Sequence, residues 1–88
     1  MKGVHALALE LTSQRGKFRF FGIFNAYWES LRFELPPGLK GQALPWRRCL
    51  DTARAAPDDI NRPESAPAVL EASYLAEARS VVLLVQPL

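Results

Sequence analysis

Phe18-Arg19-Phe20-Phe21-Gly22-Ile23-Phe24-Asn25-Ala26-Tyr27-Trp28-Glu29-Ser30-Leu31-Arg32-Phe33-Glu34-Leu35 decides the fold of this chain. It holds all five phenylalanines, one of the two tryptophans and one of the two tyrosines. Side chains of an extended chain alternate between faces, so Phe18, Phe20 and Phe24 share one side. Leu31, Phe33 and Leu35 alternate with Arg32 and Glu34, the pattern of a strand with one buried and one wet face. The stretch reads as two strands joined by an aromatic turn, and the two strands are expected to form a hairpin. The first strand is apolar on both faces after Phe20, which predicts a central position in a sheet. Gly22 within it predicts a bulge or the close approach of another backbone.

Outward from this stretch, Leu7, Leu9 and Leu11 fall on one side and Ala6, Ala8 and Glu10 on the other. That is a strand pattern, although Ala, Leu and Glu also favour a helix. Thr12 to Gly16 is a polar turn ending in glycine. Pro36-Pro37-Gly38 ends the second aromatic strand, and Leu39 to Pro45 is a loop. Trp46 to Thr52 reads as a strand with Trp46, Arg48 and Leu50 on one face. Ala53 to Pro67, with Pro57, Pro63 and Pro67, is a long irregular loop. Val69 to Ser80 has helical propensity, whereas Val81 to Val85 is a β-branched and leucine run of the kind buried in sheets.

The chain has 88 residues, which predicts one domain, residues 1–88. A hydrophobic share of 49% argues against disorder. The net charge of +2 comes from eleven bases scattered among nine acids, so charge alone points neither to nucleic acid nor to a membrane. Arg15-Gly16-Lys17-Phe18-Arg19-Phe20 superficially resembles an RNA-binding aromatic strand, but Lys17 stands where that motif needs an aromatic. The longest uncharged apolar run, Ser80 to Leu88, is about half the length of a membrane-spanning helix. Val4 to Leu11 is apolar but broken by His5 and Glu10, with no small-residue cleavage site after it, so no signal peptide is expected, and Cys49 has no second cysteine to pair with. These features give the expectation of a cytoplasmic protein. His5 is the single histidine and has no ligand cluster beside it, so neither a metal nor another cofactor is expected.

Phe24-Asn25-Ala26-Tyr27-Trp28-Glu29, then Phe33-Glu34-Leu35-Pro36-Pro37, resembles the C-terminal domain of isoamylase-type glycogen-debranching enzymes of the α-amylase superfamily. Trp46-Arg47-Arg48, Asp51-Thr52, Pro57-Asp58-Asp59, Tyr74 and Arg79-Ser80-Val81-Val82-Leu83-Leu84 continue the resemblance in the same order. It extends over residues 7–85. It departs at Ser30 and Ala78, where that family commonly has proline. The resemblance implies an all-β antiparallel sandwich of about six to eight strands. It implies strands rather than a helix around Tyr74, a turn at Glu77-Ala78, and a last strand from Arg79 to Val85. It also implies an accessory domain packed on a (β/α)8 barrel that cleaves α-1,6 branches of glycogen or starch.

Such a barrel needs about 250 residues, so the chain by itself is read as non-catalytic. Asp58 and Asp59 are adjacent and point apart in extended backbone, a poor pair for glycoside hydrolysis and a good pair for a turn. Three aromatics are candidates for contact with a glucan or a neighbouring domain: Tyr27, Trp28 and Trp46. A flat ring can stack on a sugar's C–H face or plug a core or interface. Alternation lets at most one of Tyr27 and Trp28 turn inward. Arg47 and Arg48 are expected as solvated strand residues, or as covers for apolar surface with their stems. The partners expected are a catalytic barrel or a second copy through the same apolar patch, with α-glucan as a further ligand. The alternative is a free-standing carbohydrate-binding or protein-interaction sandwich. The core is expected at Leu9, Phe20, Ile23, Phe24, Phe33, Leu50, Tyr74, Val82 and Leu84.

Overall fold

A computed structural model describes residues 6–12, 18–36, 45–62 and 65–87. Seven strands run through them: β1 (Ala6–Thr12), β2 (Phe18–Asn25), β3 (Leu31–Glu34), β4 (Trp46–Asp51), β5 (Ala68–Val69), β6 (Ser73–Ala76) and β7 (Ser80–Pro87). Five form one antiparallel sheet in the order β1-β2-β7-β4-β5, and β3 pairs with β6 in a second. The chain is therefore an all-β, sandwich-like fold. Residues 73–76 are extended although alanine, leucine and glutamate dominate their surroundings, because pairing with β3 outweighs local propensity. His5, most of the Thr12 to Gly16 and Leu39 to Pro45 readings, and the first half of the Arg15 to Phe20 reading lie outside the described residues.

β2 is central, held by β7 along its whole length and by β1 from Arg19 to Asn25. It does not form a hairpin with β3. After Asn25 the chain crosses to the other layer, and β3 pairs with β6 instead. Its half-apolar pattern suits that second layer, where Phe33 packs against the core from one side. Registers on both flanks of Gly22 are unbroken, so the glycine is not a bulge, and what approaches it is a side chain rather than another backbone. A Cβ there would sit 3.4 Å from the Phe24 ring, which lies over it.

The core lies between the layers. Phe21, Ile23, Trp46, Ala76, Val82 and Leu84 are buried together, with Ala8, Phe33, Leu35, Val69 and Tyr74 packed around them. Ile23, Phe33, Tyr74, Val82 and Leu84 are thus where the sequence puts them. Leu9, Phe20, Phe24 and Leu50 are not: they belong to the opposite face of the large sheet. Phe24 is 43% exposed. The reason is that the inward face of β2 is the one carrying Arg19, Phe21, Ile23 and Asn25, all buried. Its two polar members are satisfied inside, Arg19 by Glu10, by Gln86 at 2.8 Å and by the Trp46 ring at 5.0 Å. A register shift between Arg48 and Leu50 breaks the alternation of β4, so Leu50 turns away from the face that holds Trp46.

Candidate functional site

Two surface features stand out, and one residue links them. Asn25 ends β2 and is 2% exposed. Its amide nitrogen shares two hydrogens among the carbonyls of Glu29 (3.0 Å), Ala76 (3.1 Å) and Glu77 (3.0 Å), and its Oδ1 accepts from the Tyr27 N–H at 3.0 Å. That last bond is an Asx-type turn, the local use of a short amide side chain that bends the chain away from the sheet. Asn25 therefore ties the 26–30 turn to the end of β6, across the two layers. The Arg79 N–H donates to the Tyr27 carbonyl at 3.2 Å, which adds the turn before β7 to the same cluster. Arg79 takes a φ of 54°, and the Ser80 hydroxyl closes this turn on the Glu77 carbonyl at 2.8 Å. The turn falls at Ala78-Arg79, one residue beyond the expected Glu77-Ala78, and the last strand opens at Ser80 rather than Arg79.

The first feature is the aromatic turn so anchored. Tyr27 and Trp28 stack on one another with centroids 5.4 Å apart and planes 29° apart. Neither enters the core. Tyr27 is half-buried, and Trp28 is 69% exposed with its Nε1 directed at Glu29 Oε2 at 3.3 Å. Strand alternation does not govern them, because residues 27–29 form a bend. Trp46 does not join them. It is 4% exposed, packs against Phe21 at 6.0 Å and donates to the Pro36 carbonyl at 2.9 Å, so it is a core residue with no free ring face. Arg47 and Arg48 flank it half-buried rather than solvated, and Arg47 Nη1 donates to the Ala66 carbonyl at 2.9 Å.

The second feature is the outer face of the five-stranded sheet. The registers align three cross-strand rows: Leu7, Phe24 and Val81; Leu9, Gly22, Leu83 and Leu50; Leu11, Phe20, Val85 and Arg47. Cross-strand neighbours of this kind touch and set the character of a face. Here the one charged member of the rows is Arg47. At that end the face is closed, with Val85 and Ala66 both buried. Toward β1 it is open: Leu7 is 51% exposed, Leu9 36% and Leu11 56%. Between β2 and the start of β7 lies a shallow hollow of about 320 Å³ lined by Phe24, Asn25, Ala26, Arg79, Ser80 and Val81. Single exposed leucines are ordinary, but a contiguous apolar sheet face usually has something to cover it.

Asp51, buried, accepts hydrogen bonds from the Tyr74 hydroxyl and from the Ala53 N–H at 3.0 Å, with Arg54 Nε 3.7 Å away. Burial first, and then the Asp51 carboxylate, push the Tyr74 hydroxyl up to about 12, so it stays a donor. Asp58 is exposed in a turn, its N–H on the Ala55 carbonyl, and the Asp59 carbonyl accepts from Asp51. Among the described residues no three His, Cys, Asp or Glu side chains are grouped to hold a metal, and no helix is long and apolar enough to cross a membrane.

The arrangement defines a class: an antiparallel β-sandwich-like domain with a stapled aromatic turn and an apolar face on its larger sheet. Compared with protein-family models and with curated protein sequences, the chain matches none. Sequence reasoning missed Asn25 altogether. Its signal was an asparagine closing an apolar strand immediately before a turn.

Proposed function

We propose that the chain is a non-catalytic accessory domain, of the type that follows the catalytic barrel in isoamylase-type debranching enzymes. In this reading its apolar sheet face packs on a (β/α)8 glycoside hydrolase barrel. The observation that carries it is the open, acid-free face of Leu7, Leu9, Leu11 and Phe24. Covering such a face stabilises by about 25 cal/mol for each Å² of apolar surface removed from water. A stable contact of this kind buries on the order of 1,000 Å² or more. The domain then contributes stability and shape to the barrel, and the chemistry stays with the barrel's carboxylates. Its compartment is that of the glycogen it serves, the cytoplasm.

The test supplies the chain to an isoamylase-type barrel stripped of its own C-terminal domain. The expected outcome is a one-to-one complex on size exclusion, a raised barrel melting temperature and more debranching of glycogen. Leu9→Lys, which puts a charge in the middle of the face, should abolish all three. No complex at about 100 μM, where even weak specific pairs associate, would remove the reading.

A second reading rests on Trp28, whose exposed indole is backed by the Tyr27 ring. A rigid, pre-stacked aromatic suits a glucose ring. In this reading the turn contacts α-glucan at about millimolar affinity. Titration with maltoheptaose should shift Trp28 and Tyr27 resonances in the parent and not in Trp28→Ala. An unshifted parent spectrum eliminates it.

A further inference from the structure

We propose that β1 is the pairing edge for a second copy of this chain, joined antiparallel about a two-fold axis through Leu9. β1 is the terminal strand of the large sheet, paired on one side by β2. The opposite edge, β5, is two residues long, so β1 is the one extended edge of this sheet among the described residues. An edge strand carries a row of unpaired N–H and C=O groups, and proteins usually protect such a row with proline, lysine, a bulge or shortness. β1 has none of these, and the one charge it carries, Glu10, is paired with Arg19 of its own sheet. It is seven residues long, ALALELT, and runs in unbroken register with β2.

Its sequence also fits itself. A two-fold axis at Leu9 pairs all seven residues without overhang. Leu7 faces the partner's Leu11, Leu9 faces its own counterpart, and Ala8 faces Glu10. No like charges stand directly opposite, which is the arrangement that would oppose pairing. The two Glu10 side chains are diagonal neighbours, and each is already neutralised by its own Arg19. Leu7, Leu9 and Leu11 of both copies then line one continuous apolar strip, where each copy now leaves three exposed leucines. The inference uses the edge of the sheet and not its face. It stands whether or not a barrel covers that face.

Register-specific crosslinking tests it in the full chain with Cys49→Ser. Facing residues of an antiparallel pair have Cα atoms about 4.5–5.5 Å apart, within disulfide reach. Leu9→Cys is expected to oxidise to a covalent dimer on its own. Leu7→Cys and Leu11→Cys are expected to crosslink when mixed and not singly. All three positions are exposed, and circular dichroism checks that each variant keeps its strands. As an independent measurement, Leu9→Lys should weaken self-association by about tenfold, and an equimolar mixture with Leu9→Glu should restore it. Parent chain that sediments as a monomer at about 500 μM overturns the proposal. So does Leu7→Cys that crosslinks with itself as readily as Leu9→Cys.

Discussion

Replacing Asn25 by alanine measures what holds the two layers together at the aromatic turn. The side chain engages four backbone groups: its amide shares two hydrogens among three carbonyls, and its Oδ1 accepts from one N–H. A typical internal hydrogen bond contributes about 0.5–1.5 kcal/mol net, and a buried acceptor left unmade costs about 1–3 kcal/mol. The Ala76 carbonyl is the fully buried partner, while the bonds to Glu29, Glu77 and Tyr27 are partly accessible and regain water. Together these give a loss of about 3 kcal/mol. In a domain of this size each kcal/mol moves the melting temperature by about 4–8 °C, so Asn25→Ala should melt about 12–24 °C below the parent. Calorimetry reads that directly. Asn25→Asp adds a second signature. A carboxylate among three carbonyl oxygens is disfavoured, so its folded pKa lies above the unfolded value of about 3.9. A raised folded pKa gives stability that is complete below the unfolded pKa and lost as pH rises through the folded one. The gap between Asn25→Asp and the parent should therefore widen from pH 3 upward. An Asn25→Ala variant melting within about 4 °C of the parent, with an Asn25→Asp gap indifferent to pH, would refute the staple.

Ile23→Ala and Phe24→Ala separate the two faces of β2: the first should cost about 2–5 kcal/mol and the second, already 43% exposed, about 1–2 kcal/mol by urea unfolding. Tyr74→Phe removes the hydroxyl that bonds Asp51 and should cost about 1–2 kcal/mol at neutral pH. Because the Tyr74 pKa is raised from 10.0 to about 12, its contribution is complete below pH 10.0 and fades as pH rises through about 12. The difference between parent and Tyr74→Phe in alkaline melts should shrink over that window. Arg79→Gly relieves a side chain held at φ 54° and should leave the urea midpoint unchanged or raise stability by up to about 1 kcal/mol. A loss greater than that would mean the Arg79 side chain holds the turn.

The strands of this chain are largely legible in its pattern, and their partners are not. Alternation locates β1, β2, β3 and β4 within one or two residues, because each has a face that must be dry. The same rule misjudges which face of β2 turns inward. Phe18, Phe20 and Phe24 outweigh Arg19 and Asn25 in hydropathy, yet the arginine and the asparagine are buried and the phenylalanines lie outside. Long-range partners decide it: Glu10, Gln86 and Trp46 for Arg19, and the carbonyls of residues 29, 76 and 77 for Asn25. β6 is strand for a similar reason, since its pairing with β3 spans some forty residues of sequence. As for the candidate site, sequence singles out Tyr27 and Trp28 by their size. It cannot distinguish them from Trp46, an equally large aromatic that the core absorbs.

Phe24 lies over Gly22, and that placement has a consequence for how the centre of the sheet meets water. Gly22 offers no side chain to shield the ladder between Leu9 and Leu83, and the neighbouring ring takes over that duty. The amides at the middle of the large sheet should therefore exchange with deuterium as slowly as those under the core, although one face of their strand is open. Trimming the ring should speed exchange at Leu9, Gly22 and Leu83 more than it lowers global stability. A face that looks merely exposed would then be a watertight seal over the most central residues of the fold.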